Sequence, residues 1–196
     1  RKKIKKKKKK KINFIKLREP GGSKNSELIR KLILDKKSNF SSNTDLLLYL
    51  AARSENIKQL KKFFKKKIIL IDRFTDSTIA YQHYGFGVDL SLINTINKHL
   101  IGNFKTSFTF LNIVNKNNMI KRLKLRKKLN RYDKFNHNFY IKVQNGFLKL
   151  AKKNRKSYQI VDSNKKIEIN KKIIIKTINN LIWWLKDQIT NLIFMV

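Results

Sequence analysis

The chain has 196 residues, 41% of them hydrophobic and 11% aromatic, enough for one domain with a full core and too much for wholesale disorder. It has no cysteine, which excludes disulfides, thiolate catalysis and Cys-based zinc sites, and its three histidines (His83, His99, His137) are too scattered to form a metal cluster. Forty-eight Lys and Arg against 12 Asp and Glu give a net charge of +36, a surplus that would attract nucleic acid or anionic lipid. The lysines occur in loose runs, and Lys, Asn and Ile share A/T-rich codons. Codon bias is therefore the competing account of the charge, one that needs no binding surface.

Arg1 to Lys11 reads as a basic helix end or a disordered run, and no apolar segment follows it as in a secretory signal. The chain opens on Arg, so the true amino terminus is expected upstream. Ile12 to Leu17 alternates like a short strand. It runs into Arg18-Glu19-Pro20-Gly21-Gly22-Ser23, where the chain's only proline and two glycines predict a sharply shaped loop. Ser26 is the expected cap of the next helix, which carries the stripe Leu28, Ile29, Leu32 and Ile33. Arg30 lies off that stripe, facing solvent or a site.

A second helix, capped by Asn43 or Thr44, is expected over Asp45 to Glu55 and is apolar nearly all round, hence buried. Tyr49 and Arg53 share one of its faces. They read either as a packed aromatic with a snorkelling arginine or as a stacking and hydrogen-bonding pair for a planar base.

Lys67 to Gln82 organises the chain. Ile68 to Ile71 is a continuous apolar run, the mark of a strand buried on both faces in a parallel sheet. It ends on Asp72 and Arg73, at the edge where open α/β sheets hold ligands. A carboxylate there suits Mg²⁺, and a guanidinium suits a phosphate. A helix is expected from Ser77 through Gln82, broken at Tyr84 to Asp89. Leu90 to Ile101 reads as a helix, Phe108 to Val114 as a strand, and Met119 to Arg131 as a basic helix or a mobile lid over polyphosphate. Phe139 to Ala151 is an amphipathic helix, Gln159 to Asp162 a last short strand, and Ile167 to about Gln188 a terminal helix. Leu181 to Val196 is too short and too polar to span a bilayer. Strands alternating with helices predict an α/β domain with a parallel sheet flanked by helices, in one unit over residues 1–196.

These pieces together resemble bacterial thymidylate kinase, a P-loop nucleoside monophosphate kinase. Leu17 to Ser23 is similar to the family's Thr-Arg-Glu-Pro-Gly-Gly-Thr loop, and Asp45 to Ser54 to its Leu-Leu-(Phe/Tyr)-x-Ala-x-Arg helix. Asp72 to Gln82, with Gly85, Gly87 and Asp89, resembles its Asp-Arg-(Tyr/Phe)-x-Asp-Ser-(Ser/Thr)-x-Ala-Tyr-Gln signature. Lys121 through Asp133 resembles its lid (about residues 119–135), and Val143 to Ala151 the helix after it.

The resemblance implies phosphoryl transfer from ATP to dTMP, with ATP and Mg²⁺ required, in a cytoplasmic homodimer that uses helices including the Asp45 to Glu55 region. No specific nucleic-acid or membrane partner is implied. By position, Arg73 and Arg30 would hold the dTMP phosphate, Tyr49 would stack on thymine, and Arg53 and Gln82 would bond its polar edge. Tyr81 would crowd the ribose 2′ side, Glu19 and Thr78 would lie near sugar and phosphate, and Asp72 would help hold Mg²⁺. Arg122, Arg126 and Arg131 would be the lid cations acting with Arg73 on the transferring group.

The chain departs from the family pattern in two places. The pattern Gly-x-x-x-x-Gly-Lys-(Ser/Thr) does not occur. The resemblance therefore implies a sheet lacking its first, central strand and the P-loop, and little activity from these residues alone. The alternative is an inactive kinase fold with non-specific nucleic-acid binding. His83, Phe86 and Val88 also replace family residues around Gly85 and Gly87.

Overall fold

A computed structural model describes residues 13–64, 66–184 and 193–195. The basic run Arg1 to Lys11 lies outside the described residues. Five strands form one all-parallel sheet: β1 (Phe14–Arg18), β2 (Ile68–Asp72), β3 (Phe108–Ile113), β4 (Tyr158–Asp162) and β5 (Ile193–Met195). Their order across the sheet is β1-β2-β5-β3-β4. The helices are α1 (Lys24–Leu34), α2 (Ser42–Phe63), α3 (Thr75–Thr78), α4 (Leu90–Ile101), α5 (Lys116–Lys124), α6 (His137–Lys153) and α7 (Ile167–Trp184).

Successive strand residues point to opposite faces, and helices cover both faces of this sheet. Leu17, Ile69, Ile71 and Met195 face Leu60 of α2, with Phe63, Phe64, Ile101 and Phe104 packed around them. Ile68, Phe110, Val161 and Phe194 face the other way, against Ile174, Ile178, Leu181 and Ile182 of α7. This double burial is why β2 reads as Ile-Ile-Leu-Ile rather than as an alternation. A third cluster, Ile33, Ala80, Tyr132, Phe139 and Val143, lies between α1, α6 and the segment after β2.

The expected fold class holds, and the centre of the sheet carries a finding of its own. The sequence implied that the central position would lack its strand, but β5 stands there. Ile69, Leu70 and Ile71 of β2 pair with Ile193, Phe194 and Met195. Phe108 and Thr109 of β3 pair with Phe194 and Met195.

Several boundaries differ from expectation for local reasons. Ser23, not Ser26, caps α1, accepting a hydrogen bond from the Ser26 amide. Ser26 is buried, and its Oγ accepts from the Gly21 N–H at 2.9 Å. Ser41 caps α2, accepting from Thr44, so the helix starts earlier and runs far past Glu55. The basic segment is not one helix: α5 ends at Lys124, and a 3-10 turn, Arg131–Lys134, follows after an irregular stretch. After α3, the chain winds as a π-helix, Ile79–Gly85, rather than continuing as an α-helix.

Candidate active site

Parallel strands deliver their carboxyl ends to one edge, and Arg18 of β1 lies in register with Asp72 of β2. The loop after β1 is tied to the end of β2 by the Glu19 N–H, which donates to the Asp72 carbonyl at 2.9 Å. Glu19-Pro20 is a cis peptide bond. Gly21 and Gly22 follow at φ 115° and 104°, a conformation costly for any residue with a Cβ. A Cβ on Gly21 would also meet Glu27 Oε1 at 2.5 Å. That carboxylate oxygen accepts from the Gly22 N–H at 2.8 Å and from Arg18 Nη2 at 2.7 Å. The Arg18 hydrogen bond, then the Gly22 one, hold the Glu27 carboxyl below its ordinary range. Arg30 reaches back to the same loop, donating to the Pro20 carbonyl at 2.7 Å.

Arg53 is the hub beneath this loop, 2% exposed. Its Nε donates to Glu19 at 2.8 Å, Nη1 to Asn97 at 2.5 Å and Nη2 to Thr78 Oγ1 at 2.9 Å. Burial pushes the Glu19 carboxyl up, while the Arg53 charge and hydrogen bond pull it down. Glu19, Arg53 and Thr78, separately expected near a ligand, are therefore one buried ion-paired network. Asn97 of α4 belongs to it and had no signal in the sequence beyond a polar residue on an apolar helix face.

Arg73, which follows β2, is the one non-glycine at positive φ (63°) among the described residues. Such strain persists where the surroundings enforce it, commonly at functional sites. Its guanidinium lies 5.1 Å from the centroid of the Tyr81 ring. Tyr81 and Gln82 sit on the π-helix, a winding frequent at functional sites. Gln82 is 1% exposed, and its amide oxygen has no partner in the protein. His83, out of place in the family pattern, closes the following loop: its Nδ1 donates to the Val88 carbonyl at 2.9 Å. Tyr49 is half-buried on α2, and burial pushes its phenol up to about 12. Its ring meets Tyr132 edge-on at 6.2 Å, and Tyr132 meets Tyr81 at 5.9 Å. Asp72 is exposed at the end of β2. No cluster of three or more His, Cys, Asp or Glu able to hold a metal occurs among the described residues. A single carboxylate suits Mg²⁺, which is commonly held by one or two carboxylates plus substrate phosphates.

The three expected lid arginines part company. Arg122 lies on a cavity of about 540 Å³ at the carboxyl ends of β3 and β4, with Asn112, Ser163, Lys165 and Asn170, over Ile174 and Ile175 of α7. Its Nη2 donates to the Ser163 carbonyl at 2.5 Å. Asn170 donates to the Asp162 carbonyl at 2.8 Å, and its own buried amide oxygen has no protein partner. Arg126 is exposed and paired with Asp133 at 2.6 Å. Arg131, the third expected lid cation, is buried and ion-paired with Asp45. Asp45 and Tyr132 were not singled out as site residues, because their partners lie more than eighty positions away.

The model of the family described as thymidylate kinase matches residues 1–174. The chain belongs to the thymidylate kinase family. It is 36% identical over 156 residues to a thymidylate kinase of Mycoplasma capricolum, covering 77% of this chain and 73% of that protein. It is 30% identical to one of Kosmotoga olearia over 159 residues, 80% of this chain and 76% of that one. The crystal structure of the Ehrlichia chaffeensis thymidylate kinase superposes with a TM-score of 0.66 at 32% identity, over 85% of this chain and 81% of that one. The family's reaction is phosphoryl transfer from ATP to dTMP, giving ADP and dTDP, a step of nucleotide biosynthesis. No helix among the described residues is long and apolar enough to cross a membrane.

Proposed function

We propose that dTMP binds between α2, the glycine loop and the π-helix, with its base on Tyr49 and against Gln82. The observation that carries this reading is the buried Gln82 amide oxygen with no protein partner. An orphaned buried acceptor needs an explanation, and the N3–H of thymine is a matching donor. Arg73 and Arg30 take the dTMP phosphate, and the strained backbone at Arg73, directly after β2, supports that role because such strain clusters at ligand sites. Tyr81, stacked under Arg73, crowds the ribose 2′ side. Glu19, Thr78 and Arg53 form the floor of the pocket near the sugar and the base edge.

The acceptor atom is already a phosphate oxygen, so no general base is required, and rate comes from positioning and charge neutralisation. Arg73 holds the acceptor oxygen in line. Arg122, on the cavity at β3 and β4, and Arg126, exposed on the lid, supply positive charge toward the transferring group as the lid closes. The cavity, with its apolar Ile174 and Ile175 side and the free Asn170 acceptor, suits the purine of ATP. Asp72 would hold Mg²⁺ at the phosphates, where the ion would neutralise charge shared between donor and acceptor. The reading takes residues 1–196 as one domain, with the lid near residues 119–135, working as a cytoplasmic homodimer. Exposed Leu47 on α2 supports a partner on that helix. Neither nucleic acid nor membrane is needed.

Calorimetric titration with dTMP and dCMP tests the pocket. Cytosine has no N3–H, so dCMP is expected to bind at least about tenfold more weakly, and Gln82→Leu to weaken dTMP by about tenfold or more, since an unmet or mismatched buried polar group costs about 1–3 kcal/mol. Equal affinities for dTMP and dCMP, with Gln82→Leu unchanged, would remove Gln82 from the site.

A further inference from the structure

The buried ion pair between α2 and the lid base has no part in the chemistry above. Asp45 is 2% exposed in the first turn of α2, where the helix dipole favours a carboxylate. Both of its oxygens are engaged from the 3-10 turn Arg131–Lys134: Arg131 Nη2 donates to Oδ1, and the Tyr132 hydroxyl donates to Oδ2 at 3.0 Å. The turn is itself fixed. Asn130 and Asp133 form a reciprocal cap across it, and the Tyr140 hydroxyl of α6 donates to the Tyr132 carbonyl at 2.6 Å. The Arg131 guanidinium lies over the rings of Phe40, at 5.3 Å, and Tyr132, at 5.2 Å.

The Tyr132 ring carries this arrangement into the acceptor pocket. It meets Tyr49 edge-on at 6.2 Å and Tyr81 edge-on at 5.9 Å. Tyr49 lies four residues after Asp45, so both face the same turn from one side of α2. Tyr132 is thus wedged between the two aromatic residues that bound the nucleoside, with its hydroxyl held by Asp45 and by the Tyr49 side chain. Rotation of Tyr132 would free both neighbours at once, because edge-to-face contacts fix ring orientation as well as distance.

We infer that Asp45 is a positioning residue for acceptor selection: through Arg131 and Tyr132 it sets the separation of Tyr49 and Tyr81, and so the discrimination of deoxy- from ribonucleotide. The inference rests on the acceptor reading given above. It also gives a reason for a costly feature. A buried ion pair is weak evidence for stability, and in some proteins such a pair is kept for the specific arrangement it enforces.

The test is calorimetric binding of dTMP and of ribothymidine 5′-monophosphate to the full chain, for wild type, Asp45→Asn and Tyr132→Phe. Far-UV circular dichroism checks the fold. Asp45→Asn is expected to raise the dTMP dissociation constant about tenfold or more and to narrow the deoxy-to-ribo preference at least about fivefold. Breaking a buried pair can unfold a domain, so Tyr132→Phe, which keeps the ring and the ion pair and removes the hydroxyl that joins Asp45 to the Tyr49 side chain, is the second arm. It should narrow the preference with a smaller loss of affinity. A folded variant with wild-type preference overturns the inference, as does an equal loss for both nucleotides, which would mark a merely structural role. Wild type that binds neither nucleotide overturns instead the acceptor reading beneath it.

Discussion

Glu27, in the first turn of α1, and Asp76, in α3, are carboxylates on the two helices that follow β1 and β2, and their surroundings push them in opposite directions. Glu27 is partly exposed and takes hydrogen bonds from Arg18 and Gly22, so its charged form is favoured. Asp76, in α3, is raised chiefly by burial, against hydrogen bonds from Tyr158 and Thr75 and the Arg53 charge. An acid with a raised pKa contributes stability below its ordinary titration range and loses it as pH rises through the raised value. Asp76→Asn keeps an acceptor for the Tyr158 hydroxyl and removes the charge. The melting temperature of the variant relative to wild type is therefore expected to increase between about pH 4 and about pH 8, by about 2 °C or more. A difference that stays flat or falls over that range would place the buried charge in a favourable environment. At this scale the sequence was legible where chemistry is local: Arg18 through Gly22 and Asp72-Arg73 stand out as charge and glycine at strand ends. The pairs Asp45–Arg131 and Asp76–Tyr158 were not, because each joins residues about eighty positions apart, and neither member has a neighbour in sequence that reveals the other.

The π-helix Ile79–Gly85 shows how an element is set by what it packs on. Read alone, Ser77 to Gln82 is an ordinary helical start, and seven residues are too few for periodicity to separate an α from a π winding. The segment packs closely on α6. A Cβ on Gly146 would come within 2.5 Å of Cδ2 and 2.8 Å of Cβ of Tyr84, and one on Gly85 within 2.7 Å of the Phe139 ring. Two glycines thus let the π-helix and α6 approach closely, with Phe86 and Phe139 at 4.7 Å beside them. Gly146→Ala tests this. In a free helix the change gains about 1 kcal/mol. Here the contact reaches the Tyr84 Cβ, which cannot swing aside, so overpacking of about 1–3 kcal/mol is expected to win. The variant should melt at lower temperature and bind dTMP more weakly, because Tyr81 and Gln82 ride on the displaced segment. A higher melting temperature with unchanged affinity would show that α6 yields without moving the site. Likewise α2 was legible in type but not in length: its cap at Ser41 sits in a Ser/Asn-rich stretch that reads as loop, and its last turns carry Ile57, Leu60 and Phe63 past the expected end at Glu55.

Among the described residues, β1 with β2 and β3 with β4 form two parallel pairs that share no ladder with each other. β5 joins them, pairing with β2 on one side and β3 on the other. The alternation of strands and helices made the parallel sheet legible, but this joint was not. A three-residue strand is shorter than any window of periodicity, and its partners lie far back in the chain. Phe194 is the side chain at the joint: it is 0% exposed and packs with Ile68 of β2, Phe110 of β3 and Val161 of β4 against α7. Phe194→Ala leaves a cavity where both halves of the sheet meet, with an expected cost of about 3–5 kcal/mol. Because that residue bridges the two pairs, the loss should appear as one cooperative transition at lower denaturant midpoint, with the signals from the β1–β2 and β3–β4 sides falling together. Phe194→Leu, which keeps most of the volume, should cost less than half as much. Hydrogen exchange resolved by strand gives the decisive contrast. If β1 and β2 keep wild-type protection in Phe194→Ala while β3 and β4 lose theirs, the halves are independent, and β5 is an attachment to one of them rather than the strand that makes them one sheet.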